Sequence, residues 1–400
     1  MPERNTMKKI QELQQVKGDA YDYYIAGNED TDLFEKIFLV DDIVEEICKP
    51  DKYFLIGEKG SGKTAYSVYM SKSDKNTLYQ RFLNMKRQKA LELSSFKDVW
   101  INLIYLILAE KIRKEYGETF FSSIKYKQLS KAIDVFYSDA FKPEFVNAFE
   151  FVDNASASIN SMMKQGLFST GTKASAETSQ KYVEQSFQIS LLKIRDGFEK
   201  AFMSVNLKKP TILFVDGIDA RPRDIDNEQY FECLVGLVNA VLEMNQSFLI
   251  RPDIMYKMPV HNMNQKLRNN SVLLNWVTSY RKYIDSKLFK IADDYFMKQQ
   301  DYSYELGECW NYYFPYKVEY QEKWKAPDNP FVEFLRYSLY KPRDILTMLN
   351  EMVDATSGTQ FKHSDFEGIL SNYSTYLKGE LKDYMLIYMD DSDYNNFSIF

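Results

Sequence analysis

Short apolar runs alternate with long stretches of helical period along this chain, the pattern of an α/β fold with a parallel sheet flanked by helices. Tyr53-Phe54-Leu55-Ile56, Thr211-Ile212-Leu213-Phe214-Val215, Ser247-Phe248-Leu249-Ile250 and Ser271-Val272-Leu273-Leu274 read as buried strands, because continuous apolar runs suit a sheet covered on both faces. A further strand is predicted within residues 76–83. Helical periodicity predicts helices over residues 34–47, 96–116, 125–137, 144–165, 182–203 and 230–244, with mostly helical structure from Trp276 onward. Residues 166–179, rich in Ser, Thr and Gly, read as an exposed loop or short hairpin.

The first of these strands runs directly into Gly57-Glu58-Lys59-Gly60-Ser61-Gly62-Lys63-Thr64. Strand, glycine-rich turn and then a helix-compatible stretch beginning near Ala65 is the context a phosphate-binding loop requires. Gly57, Gly60 and Gly62 let the backbone turn where a Cβ would clash, so that successive N–H groups point inward at an anion. The helix that follows adds partial positive charge at its N-terminus. In such a loop Lys63 reaches the β- and γ-phosphates and the Thr64 hydroxyl holds Mg²⁺. Residues 57–65 are therefore the predicted nucleotide-binding segment.

The run at Thr211 ends in Asp216-Gly217-Ile218-Asp219. A carboxylate at the C-terminal end of a buried strand lies where open α/β sheets bind ligands. Asp216 is predicted to hold the magnesium shell together with Thr64. Two readings stand for Asp219: it orients or deprotonates the attacking water, or it caps the next helix, for which Asp is a favoured residue.

Composition changes this picture little. The chain has 400 residues, 45% of them hydrophobic and 27% charged, with mean hydropathy −0.43. That is ordinary for a globular protein of two or three domains. A net charge of −6 offers no global attraction for nucleic acid or anionic lipid. Cys48, Cys233 and Cys309 are far apart, and with only His261 and His363 no Cys/His zinc pattern assembles. The most apolar segment, Val99 to Leu108, is too short to span a bilayer, and the expected location is cytoplasmic.

With both motifs quoted, a resemblance emerges. An apolar strand followed by Asp-Gly-Ile-Asp resembles the second motif of the STAND and KAP-type P-loop ATPases, which are related to AAA+ proteins. Arg251 in Phe248-Leu249-Ile250-Arg251-Pro252-Asp253 resembles the first sensor of STAND proteins. Arg343 in Tyr340-Lys341-Pro342-Arg343-Asp344-Ile345-Leu346 resembles the second sensor, at the start of a lid helix that Pro342 suits well. With Asn269 to Trp276, these segments also resemble an uncharacterised bacterial group sometimes labelled FunZ-like. Each Arg has a plainer alternative: Arg251 pairs with Asp253, and Arg343 with Asp344 or a helix end. Arg221 and Arg223 are candidate fingers on a neighbouring subunit's ATP.

The resemblance implies an N-terminal lead-in and helix over residues 1–48 and a P-loop NTPase core over 49–276, with a helical insertion at about 84–205. A helical lid over 277–355 and a C-terminal segment over 356–400, an incomplete winged helix, complete the chain. It further implies a Mg²⁺-dependent ATPase acting as a molecular switch, with Lys63, Asp216, Asp219, Arg251 and Arg343 as the catalytic set. The implied setting is bacterial defence or stress response, with a homo-oligomer or an effector protein as partner. The alternative is a nucleotide-gated scaffold with little hydrolysis. The preference for ATP rests on the resemblance, because the loop reads phosphates and not the base.

Overall fold

A computed structural model describes residues 7–25, 28–73, 77–81, 93–121, 126–140, 178–205, 212–217, 227–244, 248–250, 268–318, 329–386, 389 and 391–397. The expected helix over 144–165 and the Ser/Thr/Gly-rich stretch over 166–179 fall outside these, apart from the last two residues of the latter, which begin a helix. The chain divides into two compact units. One comprises Met1–Ile47, Ile56–Asp74 and Val272–Phe400; the other comprises Cys48–Leu55 and Lys75–Ser271.

Five short strands form the sheet elements: β1 (Phe54–Ile56), β2 (Thr77–Arg81), β3 (Ile212–Asp216), β4 (Phe248–Ile250) and β5 (Ser271–Leu273). β1 lies between β4 and β5, while β2 and β3 form a parallel pair with Tyr79 opposite Phe214 and Arg81 opposite Asp216. β3 also lies beside β4, although the two hydrogen-bonded ladders are separate. Tyr53 N–H donates to Asn270 O at 2.8 Å and Leu274 N–H to Ile56 O at 2.7 Å, so β1 and β5 rise together in the parallel sense. Phe54, Leu55, Ile56, Leu213, Phe214 and Val215 are buried, as continuous apolar strands require.

In the second unit the sheet is joined by α5 (Leu93–Phe121), α6 (Lys127–Ala140), α7 (Thr178–Ser204) and α8 (Asn227–Met244). The first four helices of the chain, α1 to α4, belong to the other unit and are introduced below. The apolar run of α5 is the core of this bundle: Val99, Trp100, Ile101, Leu103, Ile104 and Leu106 are buried. Trp100 Nε1–H donates to Cys233 O on α8 at 3.1 Å, so the indole packs without an orphaned donor. Arg195 on α7 meets Glu199 at 2.7 Å, Asp98 at 3.6 Å and also Glu243, joining three helices at the edge of the core. Among the described residues no helix is long and apolar enough to cross a membrane.

The first unit contains α1 (Tyr21–Ile25), α2 (Asn28–Ile37), α3 (Asp42–Ile47), α4 (Lys63–Ser73), α9 (Lys287–Met297), α10 (Glu308–Tyr313), α11 (Phe331–Tyr337), α12 (Pro342–Ala355), α13 (His363–Met385) and α14 (Asp391–Phe397). The amphipathic stretch over 34–47 is not one helix. It breaks between α2 and α3, where Asp41 Oδ1 accepts the Ile43 N–H at 3.1 Å and so supplies a start signal that competes with continuation. The polar lead-in is also ordered against the helices that follow. Ile10, Leu13 and Val16 are buried, and Asn350 on α12 exchanges hydrogen bonds with the Val16 backbone at 3.2 and 2.7 Å.

The aromatic richness of the chain is concentrated in this unit. Trp310 stacks on Phe314 with centroids 4.1 Å apart, and Phe289, Phe296, Phe331 and Phe334 surround the pair. The buried Asp293 fixes the turn into α10 by accepting the Gly307 and Trp310 N–H groups at 2.7 and 2.8 Å.

A close helix approach lies in the second unit at Gly236 of α8, where an added Cβ would fall 2.5 Å from Phe96 Cβ and 2.9 Å from the Phe96 carbonyl carbon on α5. Gly197 on α7 has open space at the same distance scale. Gly236→Ala is expected to destabilise the protein by about 1–3 kcal/mol through overpacking. Gly197→Ala is expected to stabilise it by up to about 1 kcal/mol through helix propensity. Urea unfolding of the two variants checks both signs.

Candidate functional site: the glycine loop and its flanking helices

The loop between β1 and α4 has the backbone its glycines predict. Gly60 and Gly62 sit at φ +84° and +92°, in the left-handed region that is costly for any residue with a Cβ. At Gly57 an added Cβ would collide with Ser61 Oγ and lie 3.1 Å from Leu274 Cβ, so the chain turns back closely on itself. Gly62 O accepts the Tyr66 N–H at 3.0 Å, and α4 starts at Lys63. Each glycine that sequence reasoning singled out thus answers to a stated constraint: two to dihedral sign, one to close approach.

Lys63 is buried, and its ammonium donates to Gly57 O at 2.7 Å and Glu58 O at 3.1 Å, so it lies folded over the loop it belongs to. Ser61 is 2% exposed, and its hydroxyl oxygen has no hydrogen-bond partner among the described residues. A buried hydroxyl left in that state costs about 1–3 kcal/mol. Ser61 O accepts the Trp276 indole N–H at 2.9 Å, which pins the loop from behind. Thr64 and Ala65, half-buried, open the first turn of α4. That helix is held by aromatic packing: Phe38 stacks on Tyr69 at 4.2 Å and meets Tyr66 edge-on at 5.0 Å. Tyr66 OH lies 3.1 Å from both oxygens of Asp41; burial first, and then the Asp41 charge, raise the phenol well above its ordinary value.

The start of α12 meets the loop. Arg343 N–H donates to Gly60 O at 3.4 Å, and an added Cβ on Gly60 would lie 3.4 Å from Lys341 Cδ and 3.5 Å from Arg343 Cβ. Pro342 occupies the first turn of α12, where no N–H is needed. Tyr340, just before it, is the one described non-glycine residue with positive φ, at +55°. A left-handed tyrosine costs about 1–2 kcal/mol and persists only when its surroundings impose it. Ser338 Oγ accepts the Tyr340 N–H at 3.3 Å, and on either side the buried Asp344 accepts the Leu339 N–H at 2.9 Å and the Tyr376 hydroxyl at 3.3 Å.

The charges around the loop are paired. Lys341 Nζ lies 3.1 Å from Glu58, Lys59 Nζ lies 2.7 Å from Asp383 and 3.3 Å from Glu380, and Arg343 lies 3.6 Å from Glu380. Arg343 is therefore not spent on the adjacent Asp344, which serves backbone and phenol instead. Trp276, Lys341, Glu380 and Asp383 were missed by sequence reasoning. The loop motif contains no trace of partners so distant in sequence.

In the second unit, Asp216 ends β3 with 7% exposure. Its two oxygens accept the Tyr79 hydroxyl and the Gly217 N–H, each at 2.7 Å. Gly217, at φ +80°, lets the chain turn sharply after the acid. Tyr79 was not foreseen as a partner; the parallel register puts it on the face of the sheet that Asp216 shares. Asp219, Arg221, Arg223 and Arg251 lie outside the described residues. Among the described residues no group of three or more His, Cys, Asp and Glu side chains forms a metal cluster. No protein-family model, curated protein or solved structure matches the chain.

Burial raises the Asp344 carboxyl above the ordinary range, opposed by the Leu339 N–H and the Lys341 charge. A carboxyl raised in the folded state favours folding while protonated, and its contribution fades as pH rises through the folded value. Stability measured from about pH 4 upward should therefore decline through this group, and Asp344→Asn should flatten the slope. Chemical unfolding across that range is the check. Asp344→Ala should cost about 1–3 kcal/mol throughout by orphaning the Leu339 N–H and the Tyr376 hydroxyl.

Proposed function

We propose that this chain is a Mg²⁺-dependent ATP-binding and hydrolysing molecular switch of the P-loop type. The single observation that carries the reading is the loop itself. Left-handed Gly60 and Gly62, a buried Lys63 ammonium turned across the loop, and an unsatisfied buried Ser61 hydroxyl meet at the start of α4. Turns of this kind gather N–H groups around an anion, and the helix dipole favours negative charge at the same place. The donor chemistry fits a polyphosphate chain: backbone amides, an ammonium, a hydroxyl, and the Arg343 guanidinium beside Gly60.

The division of labour follows from residue chemistry. Residues 57–65 would bind the phosphates, and Lys63 would leave the Gly57 and Glu58 carbonyls to meet the β- and γ-oxygens. Thr64 and Asp216 would hold the metal, the latter already aimed by Tyr79 and Gly217. Magnesium, when bound, supplies positive charge to the phosphate oxygens as the terminal bond breaks. Lys63 adds to that stabilisation, Asp219 holds and activates the attacking water, and Arg251 and Arg343 respond to the terminal phosphate. Helix α12 then carries the state of that phosphate into the helices behind it, which is the property of a switch.

A cytoplasmic setting, a role in bacterial defence, and a homo-oligomeric or effector partner belong to the same proposal. They rest on composition and on the resemblance to STAND and KAP-type ATPases.

Purified protein should release phosphate from ATP only with magnesium. Lys63→Ala should lower the rate by about a hundredfold or more, the scale of removing a transition-state charge. Equal release from both proteins would remove the hydrolytic reading. Size-exclusion mass with a non-hydrolysable ATP analogue, beside that assay, separates a hydrolysing switch from a binding scaffold.

A further inference from the structure

The cations on the rim of the loop are already answered by acids, and two of those acids come from one short stretch of helix. Glu380 faces both Lys59, at 3.3 Å, and Arg343, at 3.6 Å, while Asp383 holds Lys59 at 2.7 Å. The two acids are three residues apart on α13, hence on one face of the helix. They differ in strength. The Lys59–Asp383 distance is that of a full charge-assisted hydrogen bond, whereas 3.6 Å is too long for one, so Arg343 is drawn to Glu380 without being locked to it.

The rest of this helix end is held lightly. The first half of α13 is anchored by the buried Phe366, Ile369 and Tyr373, but no described residue from 374 to 386 is buried. Gly379, immediately before Glu380, has nothing within 4 Å of where a Cβ would stand and weakens the helix at that point. Tyr376 ties the helix to Asp344 of α12 at 3.3 Å, and beyond it the position of the segment against the loop is set largely by charge.

A triphosphate competes for the same charges. It carries more negative charge than one carboxylate, and its oxygens match the guanidinium fork better than a single distant Glu380 oxygen. We propose that the C-terminal half of α13 is an anionic latch on the phosphate loop. Glu380 and Asp383 hold Lys59 and Arg343 in the resting state, and a nucleoside triphosphate displaces them and releases the helix end beyond Tyr376. The latch rests on the reading of the loop as a nucleotide site and names how that site is regulated.

The test uses the full chain and MgATP as probe, with calorimetry and hydrogen exchange as readouts. In the wild type, MgATP should raise amide exchange over residues 377–386, while the anchored part of α13, up to Tyr376, stays protected. The isosteric pair Glu380→Gln and Asp383→Asn should show that raised exchange without nucleotide. It should also bind MgATP at least about fivefold more tightly, the lower end of ordinary coupling between sites. Lys63-dependent binding with unmoved exchange in the wild type, or with unchanged or weaker affinity in the double variant, overturns the latch alone. Absence of Lys63-dependent binding overturns the nucleotide reading, and the latch falls with it.

Discussion

The site depends on one contact: the left-handed turn at Gly60 lies in van der Waals range of the start of α12. That approach places Arg343 beside the loop and gives its N–H an acceptor in Gly60 O. It also brings the cations of α12 and the loop within range of the acids of α13. Were residue 60 to carry a Cβ, the penalty would lie in its left-handed dihedral and not in a clash, since the nearest atoms of α12 stand at ordinary contact distance. The coupling of the loop to the helices runs through that contact.

Behind it, the first unit is built to keep the loop from relaxing. Trp276 holds Ser61 O, Phe38 packs on Tyr69, and Asp41 bridges Tyr66 to Lys287 on α9, the last at 2.7 Å. Such a scaffold tolerates unfavourable local features: a left-handed tyrosine, an unpaired buried hydroxyl and a carboxylate in the core. Each alone would cost a sizeable fraction of the stability of a typical domain. They gather around the loop and the entry to α12.

Much of this was legible in the chain. The run Tyr53 to Ile56 and the glycines after it determined strand, turn and helix, because their constraints are local. Asp216 was legible for the same reason, as an acid closing an apolar run. The observed strands and helices agree with the periodicity to within a few residues, save that Asp41 interrupts the stretch over 34–47 and that α1 and the start of α2 form within the polar lead-in. What escaped were partners brought in from far along the chain. Lys59 and Asp383 are separated by 324 positions, and no spacing rule connects them. Tyr79 escaped because its role depends on the register between β2 and β3. The aromatic cluster around Trp310 was visible only as composition until α9, α10 and α11 were placed around it.

Tyr340 illustrates what such a scaffold makes possible. Its left-handed backbone follows Leu339, whose N–H Asp344 accepts, and Asp344 is tied in turn to Tyr376 near the middle of α13. One carboxyl thus serves both the entry to α12 and the middle of α13, so a disturbance of either helix is felt at the other through Asp344.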